Sequence, residues 1–529
     1  MADATIGTAA LAQPAHPADY LPPRKIFAFV AMVFGMFMAI LDIQVVSASL
    51  TDIQAGLSAG ADEISWVQTA YLIAEVVMIP LSGTLGRVMS TRMLFTISAA
   101  GFTFASFLCS TATSIDQMII YRGLQGFIGG GMIPSVFAAG FTVFPPSKRN
   151  IVSPIIGLVA TLAPTIGPTV GGYLSNAFSW HWLFLINVGP GILVSIAAWL
   201  LIDFDKPDPS LMKKFDWTGL GAMAAFLGGL EYVLEEGPSN DWLNDTTILY
   251  VAILSIIGAI VFFWRAFRAP FPIVDLRAFG NINFAFGSVF SFVLGIGLYG
   301  LTYVYPLFLG RIRGYDSMMI GETLFISGLC MFLTAPFAGM LSNKMDPRIM
   351  MMVGFFCFAI GTWQATQLTA DWGFYELLWP QIFRGVGLML CMVPINNVAL
   401  GTLPPARIKQ ASGLFNRTRN LGGAVGLALI NTVLIDRTTM HAERLADHVN
   451  WSNSTAVGQL NAMTANDQAH GLDGVVAATQ QLVNMVQQQA YLMSVVDVFV
   501  LLTVLFASLG IFALVMKKPP PAGAGAGGH

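Results

Sequence analysis

Fourteen runs of about twenty predominantly apolar residues succeed one another along this 529-residue chain, each bounded by charged residues or by proline and glycine. A backbone N–H or C=O left unpaired in lipid is costly, so a run of that length crosses a bilayer as a helix that closes its own hydrogen bonds. The runs read as spans at 26–48, 66–86, 93–112, 116–143, 151–175, 183–203, 216–236, 246–268, 282–309, 317–341, 349–369, 374–400, 411–435 and 492–516. Composition removes the alternative. Only 10% of residues are charged and 55% are hydrophobic, whereas an ordinary soluble domain is roughly a quarter charged, so water-soluble domains could not be given polar surfaces. The predicted fold class is an all-α membrane protein.

Lys and Arg collect on the cytoplasmic side of membrane proteins. With both termini cytoplasmic, 18 of the 26 basic residues fall inside, and only Arg311, Arg313, Arg437 and Arg444 fall outside. Arg122, Arg384, Arg417 and Arg419 lie within spans. A wrong number of crossings would scramble these signs, so fourteen spans are expected. The net charge of −3 contains no basic excess of the kind a nucleic-acid partner requires. Cys109, Cys330, Cys357 and Cys391 stand singly in apolar runs, a packing use rather than a disulfide or zinc framework. Residues 1–24 are expected to be a cytoplasmic tail with no cleaved signal peptide, and 517–529 a disordered cytoplasmic tail. The external segment 436–490 carries Val475, Val476, Thr479, Leu482, Val483 and Val486 at helical spacing. It reads either as an amphipathic helix on the membrane or the protein, or as a simple connector.

A charge in mid-membrane costs about 2.5–3.5 kcal/mol on insertion scales, so each one needs a partner or a task. Asp42 lies about 17 residues into the first span, roughly 25 Å at 1.5 Å per residue. Arg122 lies near the external end of the fourth span. At shared depth they can pair, and the pair can form or dissolve as the aspartate loses or gains a proton. Glu75, midway along the second span, has no basic neighbour in sequence. Burial favours its neutral form, making it a candidate proton carrier or counter-ion for a cationic substrate; a carboxyl kept protonated between helices is the alternative. Glu231, Glu322 and Asp497 are expected near external ends, where they can snorkel to the interface. Arg384 sits at mid-depth with no evident acidic partner in its own span, and both a functional and a packing role stay open. Arg417 and Arg419 are expected to reach lipid headgroups. In the fifth span, Ala163, Gly167, Gly171 and Gly172 leave one face without side-chain bulk, and Pro164 and Pro168 permit bending, so this face could seal and reopen cheaply.

The chain also repeats itself. Gly83 with Arg92 nine residues on is answered by Gly339 with Arg348 nine residues on, an offset of 256, and Arg122-Gly123 by Arg384-Gly385, an offset of 262. This arithmetic fits two parallel halves of six spans with two spans inserted between them: 25–205 as the first half, 206–270 as the insert, and 271–516 as the second half with its external loop.

At these residues the chain resembles the major facilitator superfamily, and within it the fourteen-span drug:proton antiporters of the EmrB-like type. Carrying the resemblance are Leu41-Asp42, the loop after the second span, Arg122-Gly-Leu-Gln125-Gly126, and Ala163-Pro164-Thr-Ile-Gly167-Pro168-Thr-Val-Gly171-Gly172. Trp180-His-Trp182-Leu-Phe184-Leu-Ile-Asn187, Asp216-Trp217 and Asn416-Arg417 with Leu421-Gly422-Gly423 complete it. The family's second-loop motif usually has an acid where this chain has Arg87 and a glycine where it has Ser90; a basic residue at the first position favours the EmrB-like branch. The resemblance implies proton coupling through Asp42 and Arg122, and conformational roles for Gly83, Arg87, Arg92, Gly339 and Arg348. It further implies a place in the bacterial cytoplasmic membrane and no cofactor, the proton gradient being the energy source. Where the host has two membranes, it also implies a periplasmic adaptor protein and an outer-membrane channel as partners.

The leading expectation is therefore proton-coupled export of lipophilic small molecules. A transporter of one specific metabolite shares the fold. A membrane enzyme fits poorly, since there is no HExxH and all six histidines lie in loops or tails. An ATP-driven pump lacks a Gly-Lys dipeptide on which to build a phosphate-binding loop.

Overall fold

The computed structural model describes residues 21–515, except 61–62, 146–147, 270–271, 275, 343, 451 and 470–473. Of the tails read from the sequence at 1–24 and 517–529, residues 1–20 and 517–529 lie outside the described residues, as does the side chain of Pro164, while Pro23 and Arg24 already belong to the first helix.

Eighteen α-helices follow in order among the described residues: α1 Pro23–Ala48, α2 Leu50–Leu57, α3 Trp66–Met89, α4 Thr91–Ser110, α5 Ile115–Gly129, α6 Met132–Val143, α7 Arg149–Ala177, α8 Trp182–Leu185 and α9 Val188–Leu201. They continue with α10 Trp217–Glu236, α11 Thr246–Arg268, α12 Ile282–Arg311, α13 Ser317–Leu341, α14 Pro347–Ala365, α15 Phe374–Gly401, α16 Pro405–Ala446, α17 Ser454–Ala469 and α18 Gly474–Phe512. Several starts have a side-chain cap. Ser114, Asp216, Asp245, Asn281, Asp316 and Asp346 turn side-chain oxygens onto free N–H groups in the first turns of α5, α10, α11, α12, α13 and α14. Gly130 and Gly131 interrupt the fourth expected span and divide it into α5 and α6.

Every expected span falls on a helix. Among the described residues, twelve helical stretches are long and apolar enough to cross a membrane. The fifth and seventh expected spans, α7 and α10, are not among the twelve. α7 contributes only Ile151–Ala160 as a shorter apolar stretch, and α10 carries Glu231, Glu235 and Glu236 in its last two turns. The external segment differs from both sequence readings. α16 runs on through Ala446, well past 435, and the last membrane helix already begins at Gly474. Val475, Val476 and Val483 stay exposed on a continuation of α18 rather than forming a separate surface helix. The segment lengthens the membrane helices because nothing in 474–491 breaks the helical backbone before the apolar run begins.

α1 packs on α7 and α9, α3 on α5, α12 on α16, and α14 on α15 and α18. α7 also packs on α13, and α3 on α16, which ties the early helices to the late ones. α10 and α11 form a pair locked by Arg265 Nη2, 2.7 Å from Asp216 Oδ1, and α10 reaches both α3 and α16. The outer face of α11 exposes Tyr250, Ile257, Ile260 and Phe267, the surface a lipid-facing helix requires. All four cysteines are free.

Candidate functional site

A buried carboxylate gathers five helices. Asp42 Oδ2 accepts from Arg122 Nη1 at 2.6 Å, with both side chains fully shielded from solvent. Its other oxygen, Oδ1, accepts from Asn187 Nδ2 at 2.7 Å and Gln125 Nε2 at 3.1 Å. Arg122 also donates from Nη1 to Gln125 Oε1 (2.7 Å) and from Nε to the Val67 carbonyl (3.1 Å), and its guanidinium lies 4.3 Å from the centre of the Tyr71 ring. Gln125 Nε2 donates onward to Ser106 Oγ at 2.7 Å. α1, α3, α4, α5 and the start of α9 are thus joined through one ion pair. Gln125 and Asn187 stood in the recognised motifs, but their task as holders of the carboxylate is a matter of three-dimensional position.

Behind this network, on the other side of α1, lies a cavity of about 660 Å³. Ile40, Ile43, Gln44 and Ser47 of α1 line it while Asp42 does not. The opposite wall comes from Tyr299, Thr302 and Tyr303 of α12 and from Asn416, Arg417, Arg419, Asn420 and Asn431 of α16. Tyr303 donates to Asn431 Oδ1 (2.7 Å) and Tyr299 to Asn420 Oδ1 (3.3 Å), which holds both rings against α16. The cavity runs out to Leu50, Ser65 and Ser239, beyond the ends of α1, α3 and α10. At the other end the helices meet. Ser153 Oγ donates to Asn397 Oδ1 (2.6 Å), Asn397 Nδ2 to Ser342 Oγ (2.9 Å), and Ser412 Oγ to the Pro134 carbonyl (3.3 Å).

Glu75 lines this cavity at 4% exposure, and its Oε1 has no hydrogen-bond partner. The expectation that Glu231 snorkels to the interface and that Arg417 reaches headgroups is corrected. Glu231 is buried, and its Oε2 lies 3.0 Å from Arg417 Nη2 across the α10–α16 contact. Arg419 is likewise buried, donating to Asn396 Oδ1 (2.8 Å) and Ser291 Oγ (3.2 Å) with its guanidinium against Phe137 and Phe415. Depth along a span could not foresee this, because side chains on one helix reach inward or outward according to the neighbour they face. The available signal was that a Glu and an Arg in separate apolar spans can neutralise each other. Arg384 is buried at 2% exposure beside Gln381 and Tyr305, with no carboxylate at ion-pair distance among the described residues. Glu322 is exposed, and Asp497 pairs with His441 at 2.9 Å in the extension of α16 and α18.

The small-residue face of α7 abuts α1 close to Asp42. A Cβ on Gly167 would lie 2.4 Å from Gln44 Cβ, and one on Gly171 would lie 2.7 Å from the Val45 carbonyl oxygen. Pro168 lines the cavity and Gly172 is buried. At the α3–α4 turn, Gly83 is buried, the Asp205 carboxylate accepts from Thr91 N at 3.0 Å, and the Arg87 carbonyl accepts from Asp208 N at 3.1 Å. Arg92 lies 4.2 Å from the Trp199 ring centre. In the repeat copy, Gly339 is buried and Arg348 Nη2 lies 2.9 Å from Asp346 Oδ2.

Ser90, where the motif usually has glycine, adopts φ +78°. A non-glycine residue held there costs on the order of 1–3 kcal/mol. Ser90→Gly is therefore expected to raise the thermal midpoint of the purified protein, since the cap in which Ser90 Oγ accepts from Met93 N is long at 3.4 Å. A lowered midpoint would show that the cap outweighs the strain.

A family model described as Major Facilitator Superfamily matches residues 32–427. The chain belongs to the major facilitator superfamily. It is a membrane transporter and not an enzyme. The colistin resistance protein EmrB of Acinetobacter baumannii is 41% identical over 490 residues, covering 93% of this chain and 96% of that one. The multidrug export protein EmrB of Escherichia coli K12 is 27% identical, covering 94% and 96%. Among solved structures, a bacterial homologue of the human lysosomal transporter Spinster, inward-facing and occupied, matches at a TM-score of 0.53 and 14% identity over 95% of this chain and all of that one. That likeness shows the fold alone.

Proposed function

We propose that this transporter exports lipophilic compounds across the bacterial cytoplasmic membrane in exchange for protons. The observation that carries the reading is a solvent-reaching cavity lined by the unpaired carboxyl of Glu75, one helix away from the sealed Asp42–Arg122 pair. The names of the EmrB relatives, colistin resistance and multidrug export, support the substrate class.

In this reading residues 25–205 and 271–516 form the two halves, 206–270 the insert, and the chain crosses fourteen times with both termini cytoplasmic. The cavity then faces outward. A proton arriving at Asp42 removes the charge that holds Arg122, Gln125 and Asn187 to α1, and the helix is released to move along the glycine face of α7. Gly83, Arg87 and Arg92, with Gly339 and Arg348, steady the cytoplasmic turns that must separate when the cavity turns inward. Glu322 and Arg384 have no assigned step. Membrane potential supplies about 2.3 kcal/mol per proton per 100 mV, and a pH unit about 1.4 kcal/mol. One proton is therefore enough to sustain a tenfold substrate gradient, which is also about 1.4 kcal/mol. Where the host has an outer membrane, the α16–α18 extension is the surface we assign to a periplasmic adaptor leading to an outer-membrane channel.

Purified protein in liposomes should show dye efflux that rises with an imposed pH gradient and stops when the gradient is collapsed. Efflux indifferent to the gradient would sink the proposal. Glu75→Gln fixes the cavity carboxyl in a neutral form. Its efflux is expected to lose most of its pH dependence, and a variant whose pH profile matches wild type removes Glu75 from the proton path.

A further inference from the structure

We propose that Glu231 and Glu235 of α10 set the charge preference of the cavity, making it a binding site for lipophilic monocations. The inference rests on the exporter reading for its substrate and names that substrate's chemical class. Six carboxyl and guanidinium side chains line the cavity: Glu75, Glu231, Glu235, Glu236, Arg417 and Arg419. Their partners decide which charges a ligand meets.

Both arginines are engaged. Arg417 is neutralised by Glu231 at 3.0 Å, although its Nε has no partner among the described residues, and Arg419 is drawn onto the neutral acceptors Asn396 and Ser291. The remaining carboxyls are freer. Glu236 Oε1 accepts only the Thr69 hydroxyl, at 3.0 Å. Glu235 makes no hydrogen bond or ion pair with the described residues. Glu75, buried to within 4% of full shielding, leaves Oε1 without a partner. An unpaired acceptor at that depth is a place for a ligand's positive charge, because a buried polar atom without a partner is otherwise a standing cost.

Two further features favour the same sign. Glu231, Glu235 and Glu236 occupy the last turns of α10, where the helix end itself carries partial negative charge. The rings of Tyr299 and Tyr303, anchored through their hydroxyls to α16, offer negative faces to a cation. The apolar remainder, including Met36, Ile40, Leu72 and Phe137, accepts an irregular hydrophobic body without directional contacts.

α10 lies in the segment we place outside both six-helix halves, yet it packs on α3, which carries Glu75, and on α16, which carries Arg417. The insert therefore acts as a selectivity element. Without Glu231 the guanidinium of Arg417 would face the cavity uncompensated, and the preference would swing toward anions.

Tetraphenylphosphonium and tetraphenylborate have nearly the same shape and opposite charge, so their affinity ratio reports charge preference alone. Binding of each to the purified full-length protein in detergent, by titration calorimetry with no proton gradient, is expected to favour the phosphonium. Glu235→Gln should weaken phosphonium binding about tenfold, the scale of one lost favourable charge contact, and, by removing a repulsive charge, tighten borate binding. Glu231→Gln should reverse the ratio. Glu231→Gln combined with Arg417→Gln should restore the cation preference, which separates charge from any loss of folding. Equal affinity of wild type for the two ions, or a ratio that neither single variant moves, overturns the proposal. Because no gradient is applied, this outcome is distinct from a failure of proton coupling, which only the liposome experiment reads.

Discussion

Asp42→Asn is expected to abolish export against a gradient and to destabilise the fold by about 3–5 kcal/mol, the cost of leaving one member of a buried ion pair without its partner. The size follows from atoms. Asp42 accepts on both oxygens, from Arg122 on one and from Asn187 and Gln125 on the other. An asparagine has one acceptor and one donor. If its oxygen faces Asn187 and Gln125, its NH2 meets the Arg122 guanidinium, donor against donor. If it is flipped, the amide groups are the ones opposed. Neither orientation satisfies the site, and Arg122 keeps its full charge in a place shielded from solvent. Thermal midpoint and proton-driven efflux should fall together. The double variant Asp42→Asn/Arg122→Gln removes the orphan charge, so its midpoint is expected to recover while its coupling does not. If Asp42→Asn alone exports uphill at the wild-type rate, the pair is structural only.

Gly171→Val is the second large effect. The glycine's own hydrogen position already points at the Val45 carbonyl oxygen, with an added Cβ at 2.7 Å and Ser49 Oγ at 3.2 Å. The two further carbons of valine have no room, and overpacking of this kind costs about 1–3 kcal/mol. α1 must move off α7, and Val45 lies on α1 only three residues beyond Asp42. Export is expected to fall by at least about tenfold, the factor equivalent to ~1.4 kcal/mol. Gly221→Ala is the control. Nothing stands within 4 Å of a Cβ there, and alanine exceeds glycine in helix propensity by up to ~1 kcal/mol, so that variant should be neutral or slightly more stable. Wild-type export from Gly171→Val would remove the α1–α7 face from the transport cycle.

Much of the architecture was readable along the chain because lipid permits so few solutions. A backbone in hydrocarbon must be helical, so apolar length alone placed the helices, and the positions of Lys and Arg proposed their direction. Asp42, Glu75 and Arg122 were legible for a related reason, since a charge in a long apolar run stands out against its neighbours. The glycines of α7 were legible as a smooth face, although which helix they meet was not.

The errors have one physical origin. Glu231, Arg417 and Arg419 were assigned to the interface by counting residues from the nearest helix end. That counting gives depth and says nothing about azimuth, and an arginine at moderate depth can reach headgroups or turn inward with equal ease. Its choice is made by the acceptor it finds, and the acceptors Glu231, Asn396 and Ser291 come from helices that are distant in sequence.

The sequence by itself determined that this chain is a bundle of membrane helices with a weak internal repeat, and that a handful of its charges must be paired or functional. The Asp42–Arg122 pair was legible from shared depth, but tertiary structure alone decided the rest: the pair closed off by Gln125 and Asn187 away from the cavity, Arg417 neutralised by a helix from another part of the chain, and Glu75 left open to the cavity. One-dimensional pattern reflects the solvent each segment must meet, while an ion pair depends on two side chains arriving within about 4 Å, a distance that only packing sets.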